Sequence, residues 1–100
     1  MANYYLTNKA VDDLNQIWNY TFDEWSERQA DKYYNELLNA CKKIAENSEL
    51  GKKYFKVIPE LQGLHINRHI IFFRRINLDF VEITRILHER MDLKSRIIDK

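Results

Sequence analysis

The sequence predicts an α+β domain in which an N-terminal helical hairpin packs on a small antiparallel sheet, in the order β-αα-βββ(β). Three observations lead to this fold class. The chain has 100 residues, so that residues 1–100 make one domain. Apolar residues recur every three or four positions in the first half, and β-branched and aromatic residues fill the second. Helices that precede an antiparallel run favour one layer of helices on one face of a sheet.

The chain begins with a predicted strand and an amphipathic helix. Tyr4–Leu6 carries residues that favour strands and is expected to join the sheet. From Thr7 to Trp25 the apolar residues follow the helical period, with Thr7 as the candidate N-cap. These apolar positions are Ala10, Val11, Leu14, Ile17, Trp18, Thr21, Phe22 and Trp25.

A second helix is predicted to open at Ser26. Ser26 is followed three residues later by Gln29, which is the spacing of a capping box. The apolar stripe of this helix consists of Ala30, Tyr33, Tyr34, Leu37, Cys41, Ile44 and Ala45. The two tyrosines are therefore expected to be mostly core residues. The period stops at residues 47–51, where Asn or Gly can adopt the left-handed conformation that ends helices. The short connection predicts an αα-hairpin.

Four short strands are predicted in the second half of the chain. They are Tyr54–Ile58, Leu64–Asn67, His69–Ile76 and Phe80–His88. The last two face each other across Asn77-Leu78-Asp79 and should form a hairpin. Residues 91–98 are expected to form one amphipathic turn or a short helix.

The composition excludes several classes of enzyme. The single Cys41 cannot form an internal disulfide, and with three His it leaves no recognisable zinc spacing. Cys41 lies on the apolar stripe of the second helix, which favours a buried, inert thiol over a nucleophile. The sequence has no Gly-rich phosphate loop and no HExxH, GxSxG or CxxC motif. We therefore expect no cofactor and no metal.

The chain also lacks the signals of export and membrane insertion. Its N-terminus has no basic start followed by an apolar segment, and no run approaches about 18 apolar residues. Together with the one cysteine, this predicts a cytoplasmic protein.

The charge is divided between the two halves of the sequence. Residues 1–50 carry five basic and nine acidic side chains, for a net charge of −4, whereas residues 51–100 carry eleven basic and six acidic ones, for a net charge of +5. This division indicates either one face made for an anionic partner or an ordinary solvated surface.

Arg85 is the cation that most needs an explanation. Strand alternation predicts that Val81, Ile83, Arg85 and Leu87 share one face. A charge among aliphatic side chains needs a partner, which is either an internal carboxylate such as Asp13 or Asp92 or an incoming anion.

Two histidines flank the predicted hairpin. His69 and His88 could act as general acid and base, with Arg85 stabilising the transition state of RNA cleavage. The alternative is that both are hydrogen-bonded structural residues, as histidines at the ends of a hairpin more often are.

Aromatic and basic residues are interleaved at positions 52–56. Tyr54 and Phe55 stand beside Lys52, Lys53 and Lys56. The pattern resembles a base-stacking surface but fits an ordinary strand equally well.

The residues also resemble the RelE/ParE superfamily of toxins from bacterial type II toxin–antitoxin modules, and its ParE branch in particular. The resemblance runs almost end to end, through Tyr5-Leu6-Thr7, Asp13-Leu14, Ile17-Trp18, Gln29-Ala30 and Leu50-Gly51. Its most telling segments are Arg68-His69-Ile70-Ile71-Phe72-Phe73-Arg74 and Arg85-Ile86-Leu87-His88-Glu89-Arg90-Met91-Asp92. The second resembles the characteristic ending of ParE sequences.

The resemblance implies a helical hairpin on a small antiparallel sheet and a cytoplasmic plasmid-stabilisation toxin. A cognate antitoxin would neutralise the toxin, and the complex would bind operator DNA through the antitoxin. ParE-like proteins inhibit DNA gyrase and so block replication, and the resemblance therefore implies a toxin that acts by binding gyrase more than by catalysis.

Two alternatives stay open. RelE-like relatives cleave mRNA in the ribosome, and His69, Arg85 and His88 would then be the catalytic residues. The last 20 residues contain no Tyr, a residue that the RNase branch typically uses there, which disfavours this reading. A degenerate toxin that only sequesters antitoxin is the other alternative.

The positive charge of the second half predicts the partner-binding surface. We expect it to comprise the basic strands and the C-terminal segment. The candidate residues are Arg68, Arg74, Arg75, Arg90, Lys94 and Arg96.

Overall fold

The computed structural model describes residues 3–55, 57–91 and 97. The predicted α+β fold is confirmed: two helices pack on one face of a five-stranded sheet. The elements are β1 (Asn3–Leu6), α1 (Asn8–Glu24), α2 (Glu27–Glu46), a 3-10 helix (Ser48–Leu50), β2 (Lys52–Lys53), β3 (Gln62–Ile66), β4 (His69–Arg75) and β5 (Phe80–His88).

Both predicted helix starts are confirmed. The Thr7 hydroxyl oxygen accepts a hydrogen bond from the Ala10 N–H at 3.0 Å. The Ser26 hydroxyl oxygen accepts one from the Gln29 N–H, also at 3.0 Å. Each bond satisfies a backbone donor that the first turn of a helix leaves without a partner.

The sheet is mixed because β1 pairs in parallel with β5, while the other pairs are antiparallel. The strand order is β1-β5-β4-β3-β2. The hairpin of β4 and β5 leaves the outer edge of β5 open, and β1 fills that edge from Phe80 to Ile83.

The strand predicted at Tyr54–Ile58 is wrong. The strand at this edge is β2, and the backbone then turns, with the Val57 N–H donating to the Tyr54 carbonyl at 3.0 Å. The side chains of Tyr54, Val57 and Ile58 are used for packing, because they cover a second apolar cluster on the face of the sheet away from the helices. That cluster is made of Leu61, Ile70, Phe72 and Leu87.

The predicted face of β5 is also wrong. Phe72 pairs with Arg85 and Phe73 pairs with Ile83, so that the register skips Thr84. This β-bulge reverses the alternation. Val81 and Ile83 therefore lie in the core under the helices, whereas Leu87 lies in the second cluster.

The segment predicted at 91–98 lies mostly outside the described residues. Ile97, which is described, packs against the second cluster. Among the residues that the structure describes, no helix has the length and apolar character needed to cross a bilayer.

Candidate functional site

The buried ion pair of Asp13 and Arg85 joins α1 to the part of β5 that extends beyond β1. Arg85 Nε donates to Asp13 Oδ2 at 2.8 Å, and Arg85 Nη2 donates to Asp13 Oδ1 at 3.0 Å. The Ile86 N–H donates to Asp13 Oδ2 at 3.0 Å, which satisfies an edge donor of β5. The hydrogen bonds to Asp13 raise the pKa of Arg85. Of the partners that the sequence suggested, Asp13 holds this position, while Asp92 lies outside the described residues.

His69 and His88 are brought together, because they are register partners at the ends of β4 and β5. Their ring centroids are 5.4 Å apart in an edge-on arrangement. His69 Nδ1 lies 2.8 Å from the Tyr33 hydroxyl oxygen, and that hydroxyl lies 3.1 Å from the Ile66 carbonyl oxygen. If the Tyr33 hydroxyl donates to Ile66, His69 Nδ1–H donates to Tyr33 and every proton has an acceptor.

Burial changes the acidity of both members of this contact. Burial, and secondly the neighbouring His88, lower the pKa of His69 to about 4. Burial raises the pKa of Tyr33 to about 12. At neutral pH both side chains are therefore uncharged, as a hydrogen-bonded structural pair requires.

Two adjoining cavities open beside the histidines, and both are lined by Tyr20, His69 and His88. The first, which we call the apolar groove, has a volume of about 370 Å³ and includes Ile17, Ile86 and Met91. The second, which we call the aromatic groove, has a volume of about 520 Å³. Its other principal side chains are Trp25, Gln29, Tyr33, Asn67 and Arg68.

Comparison with known proteins identifies the family. Residues 4–93 match the family described as "ParE toxin of type II toxin-antitoxin system, parDE". This chain belongs to the ParE toxin family. It is thus a ParE-type toxin of a type II toxin–antitoxin system, a family that implies a cognate antitoxin as partner.

Several curated ParE toxins are similar over their whole length. Toxin ParE1 of Mycobacterium tuberculosis is 32% identical over 96 residues, which cover 96% of this chain and 98% of the relative. Toxin ParE1 of Caulobacter vibrioides is 30% identical, with 97% and 99% covered. Toxin ParE of Escherichia coli is 31% identical, with 100% and 97% covered.

A solved structure shares the fold of this ParE-family toxin. The structure described as "Chromosomal ParDE TA system from P. aeruginosa" superposes with a TM-score of 0.75 at 20% sequence identity. The match covers 88% of this chain and 96% of that one.

The structure of this ParE-family toxin divides the predicted partner-binding residues between two ends of the sheet. Arg68 precedes β4 and Arg90 follows β5, and both side chains are exposed beside the grooves. Arg74 and Arg75 lie at the opposite end of β4. Lys94 and Arg96 lie outside the described residues.

The two pairs of arginines differ in how firmly they are held. Arg74 makes a two-pronged contact with Glu82, at 3.1 and 3.3 Å from Nη2, and Arg75 Nη1 donates to the Ser48 hydroxyl at 2.6 Å. The Arg68 side chain is 67% exposed, and its contact with Glu89 is 4.0 Å long. Arg68 is therefore more available to a partner than Arg74.

The structure also places two other candidates from the sequence, namely Cys41 and the aromatic and basic residues at positions 52–55. Cys41 is fully buried, and burial raises the pKa of its thiol to about 12, as expected for an inert residue. The Lys52 and Lys53 ammonium groups lie 6.0 and 5.7 Å from the ring centroids of Tyr54 and Phe55. The Tyr54 ring packs edge-on against Phe72 and is part of the second cluster.

Sequence reasoning missed the contribution of the helices to the grooves. Tyr20 lies off the predicted apolar stripe and is 66% exposed, as its position implies, whereas Trp25 lies on that stripe and is nevertheless 77% exposed. The sequence indicates Gln29 as a capping-box residue and as part of the family resemblance, not as the lining of a groove. The sequence carries one signal for the groove, which is Trp25, a large aromatic residue at the end of an amphipathic helix. Whether such a residue is buried or exposed depends on the elements that pack around the helix end.

Proposed function

We propose that this ParE-family toxin acts by binding and inhibits DNA gyrase, which blocks DNA replication, and that its cognate antitoxin neutralises it in the cytoplasm. The family match over residues 4–93 supports this proposal. The antitoxin would also carry the complex to its operator DNA.

The contacts of the histidine and arginine set favour binding over RNA cleavage. The Arg85 side chain is 14% exposed, and its guanidinium group makes hydrogen bonds to both carboxylate oxygens of Asp13. His69 has a structural hydrogen bond to Tyr33 and a pKa of about 4, which makes it a weak base at neutral pH. Two of the three residues that an endonuclease would need, Arg85 and His69, are thus engaged in holding α1, α2 and the sheet together. This is the observation that carries the proposal.

A supercoiling assay tests the target directly. Purified gyrase and relaxed plasmid are incubated with the toxin alone, and with toxin previously mixed with its antitoxin. Inhibition by the free toxin, reversed by the antitoxin, is expected. Full supercoiling activity at a large excess of folded toxin would contradict the proposal.

Induction in growing cells distinguishes gyrase from the ribosome. Labelled thymidine and labelled methionine are followed together in the first minutes after the toxin is expressed without its antitoxin. Thymidine incorporation should fall first. An earlier fall in methionine incorporation that His88→Ala abolishes would instead establish the mRNA endonuclease, and a harmless chain would indicate a degenerate toxin.

A further inference from the structure

The aromatic groove combines aromatic rings with polar side chains. Exposed rings of Tyr20 and Trp25 stand on the α1 side, and the ring of Tyr33 stands on the α2 side. None of its lining residues among the described parts of the chain is Leu, Ile, Val or Met. An amphipathic helix binds through several apolar anchors in a hydrophobic groove, whereas exposed ring faces beside polar side chains suit a planar, polar ligand.

Polar groups of the aromatic groove are available for such a ligand. Across residues 3–55, 57–91 and 97, the Trp25 ring N–H, the Tyr20 hydroxyl and the Gln29 side-chain amide make no hydrogen bond. The Asn67 amide stands on the other side, in the turn between β3 and β4. Amides pair with the donors and acceptors on the edge of a nucleobase, while aromatic rings stack on its faces.

A cation lies next to these rings. Arg68 follows Asn67 in the same turn, and its guanidinium group is largely exposed at the rim of the groove. A guanidinium group binds a phosphate through two parallel hydrogen bonds. Ring faces, the free Gln29 amide and a guanidinium group together match a base and its adjoining phosphate.

We propose that the aromatic groove binds an unpaired nucleobase of a single-stranded nucleic acid, with the base stacked on Trp25 and Tyr20 and the phosphate held by Arg68. The proposal goes beyond inhibition of gyrase and includes no cleavage. Direct binding tests it in the absence of gyrase, so its failure is separate from failure of the proposed function.

The experiment measures binding of fluorescein-labelled 12-mers to the purified toxin by anisotropy. The ligands are oligothymidylate, oligouridylate, a 12-mer of abasic sites with the same number of phosphates, and a duplex. The oligothymidylate should bind about tenfold or more tightly than the abasic strand, because stacking is lost without bases. The thymidylate and uridylate arms distinguish DNA from RNA as the source of the base.

Variants locate the bound base. Trp25→Ala should weaken binding of the oligothymidylate about tenfold or more. Arg68→Gln should lower the slope of log Kd against the logarithm of the salt concentration by about one. Leu78→Ser, at an exposed residue of the distant β4–β5 turn, serves as the control and should bind as the parent does. Thermal unfolding of each variant confirms that it is folded, which we expect because Trp25 is 77% exposed.

Trp25 also supplies an internal signal. Its emission should be quenched by unlabelled oligothymidylate, whereas Trp18, stacked on Phe22 at 5.3 Å and bonded to Asp31, should contribute a constant background. Equal affinity for the abasic strand, or unchanged binding by Trp25→Ala, would overturn the proposal. Loss of antitoxin binding by Trp25→Ala without any oligonucleotide binding would overturn it too, and would make the groove a protein interface.

Discussion

At the scale of single residues, the site depends on groups whose charge state is set by their partners. Asp13 and Arg85 are 8% and 14% exposed in their side chains and neutralise each other. His69 is held uncharged by burial and by His88. Both arrangements lie between the helices and the sheet, so that changing either affects the free energy of unfolding.

Asp13→Asn should lower the free energy of unfolding strongly. The substitution removes the charge that the buried Arg85 guanidinium faces, and loss of one partner of a buried pair costs about 3 kcal/mol or more. For a domain of this size that corresponds to a fall in Tm of roughly 10–20 °C. Asp12→Asn, at the exposed neighbouring position, is the matched control and should unfold within about 2 °C of the parent. Equal melting of the two variants would contradict the structural role of Asp13.

His69 should make the folded state sensitive to acid. An unfolded histidine titrates with a pKa near 6.5, whereas the pKa of His69 in the folded chain is about 4. Between these values the unfolded chain binds more protons, so this contribution is complete above pH 6.5 and is lost as the pH falls towards 4. The loss should be about 2 kcal/mol, since part of the ring meets water.

The measurement for His69 is urea unfolding at several pH values. His69→Gln should flatten the dependence between pH 6.5 and 4, because the amide does not titrate there. His65→Gln replaces a histidine whose side chain is 52% exposed and should keep the dependence of the parent. The same slope in His69→Gln and the parent would show that another group causes it.

At the scale of elements, the loop after β2 covers the face of the sheet that lies away from the helices. Because this loop packs closely on β3, that strand requires a small residue. A Cβ atom on Gly63 would lie 2.8 Å from a ring carbon of Tyr54 and 2.9 Å from Cγ2 of Ile70. Both neighbours belong to the second cluster, where a rigid ring and a buried methyl group leave little space.

Gly63→Ala should therefore destabilise the fold by overpacking. We expect a loss of about 1–3 kcal/mol in the free energy of unfolding. Gln62→Ala, at the preceding position of the same strand, provides the comparison in denaturant titrations. A Gly63→Ala chain as stable as the parent would mean that the loop after β2 moves away at little cost.

At the scale of the whole molecule, the basic side chains are not one surface. Arg68 and Arg90 lie at the end of the sheet with the grooves, and Arg74 and Arg75 lie at the other end, held by Glu82 and Ser48. A partner that binds the exposed arginines would therefore contact the end of the sheet that carries the two grooves.

Arg90→Glu should weaken inhibition of gyrase about tenfold while the chain stays folded, because Arg90 is exposed and a charge reversal at an interface rim slows association. The readout is the toxin concentration that halves supercoiling. Lys42→Glu makes the same change of charge on the exposed side of α2, near the far end, and should leave inhibition unchanged. Equal inhibition by Arg90→Glu and the parent would exclude Arg90 from the gyrase contact.

Part of the site followed from the sequence. Local patterning places one histidine at each end of the last hairpin, but the register set by the turn alone would pair His69 with Leu87, and the bulge at Thr84 brings His88 opposite His69. The sequence also offers Asp13 as one of two carboxylate partners for Arg85, and the structure selects it. The aromatic groove could not be foreseen, because Tyr20, Gln29 and Arg68 come from three parts of the chain that only packing brings together.

The sequence by itself determined the two helices, their caps and the last hairpin, because period, capping and turn chemistry act between residues a few positions apart. Only the tertiary structure decided the parallel pairing of β1, the bulge at Thr84 and the turn after β2. Each depends on contacts between distant parts of the chain, such as the Asp13–Arg85 pair, whose members are 72 positions apart. Local preference at Tyr54–Ile58 favours a strand, but in the structure Tyr54, Val57 and Ile58 cover the second apolar cluster instead.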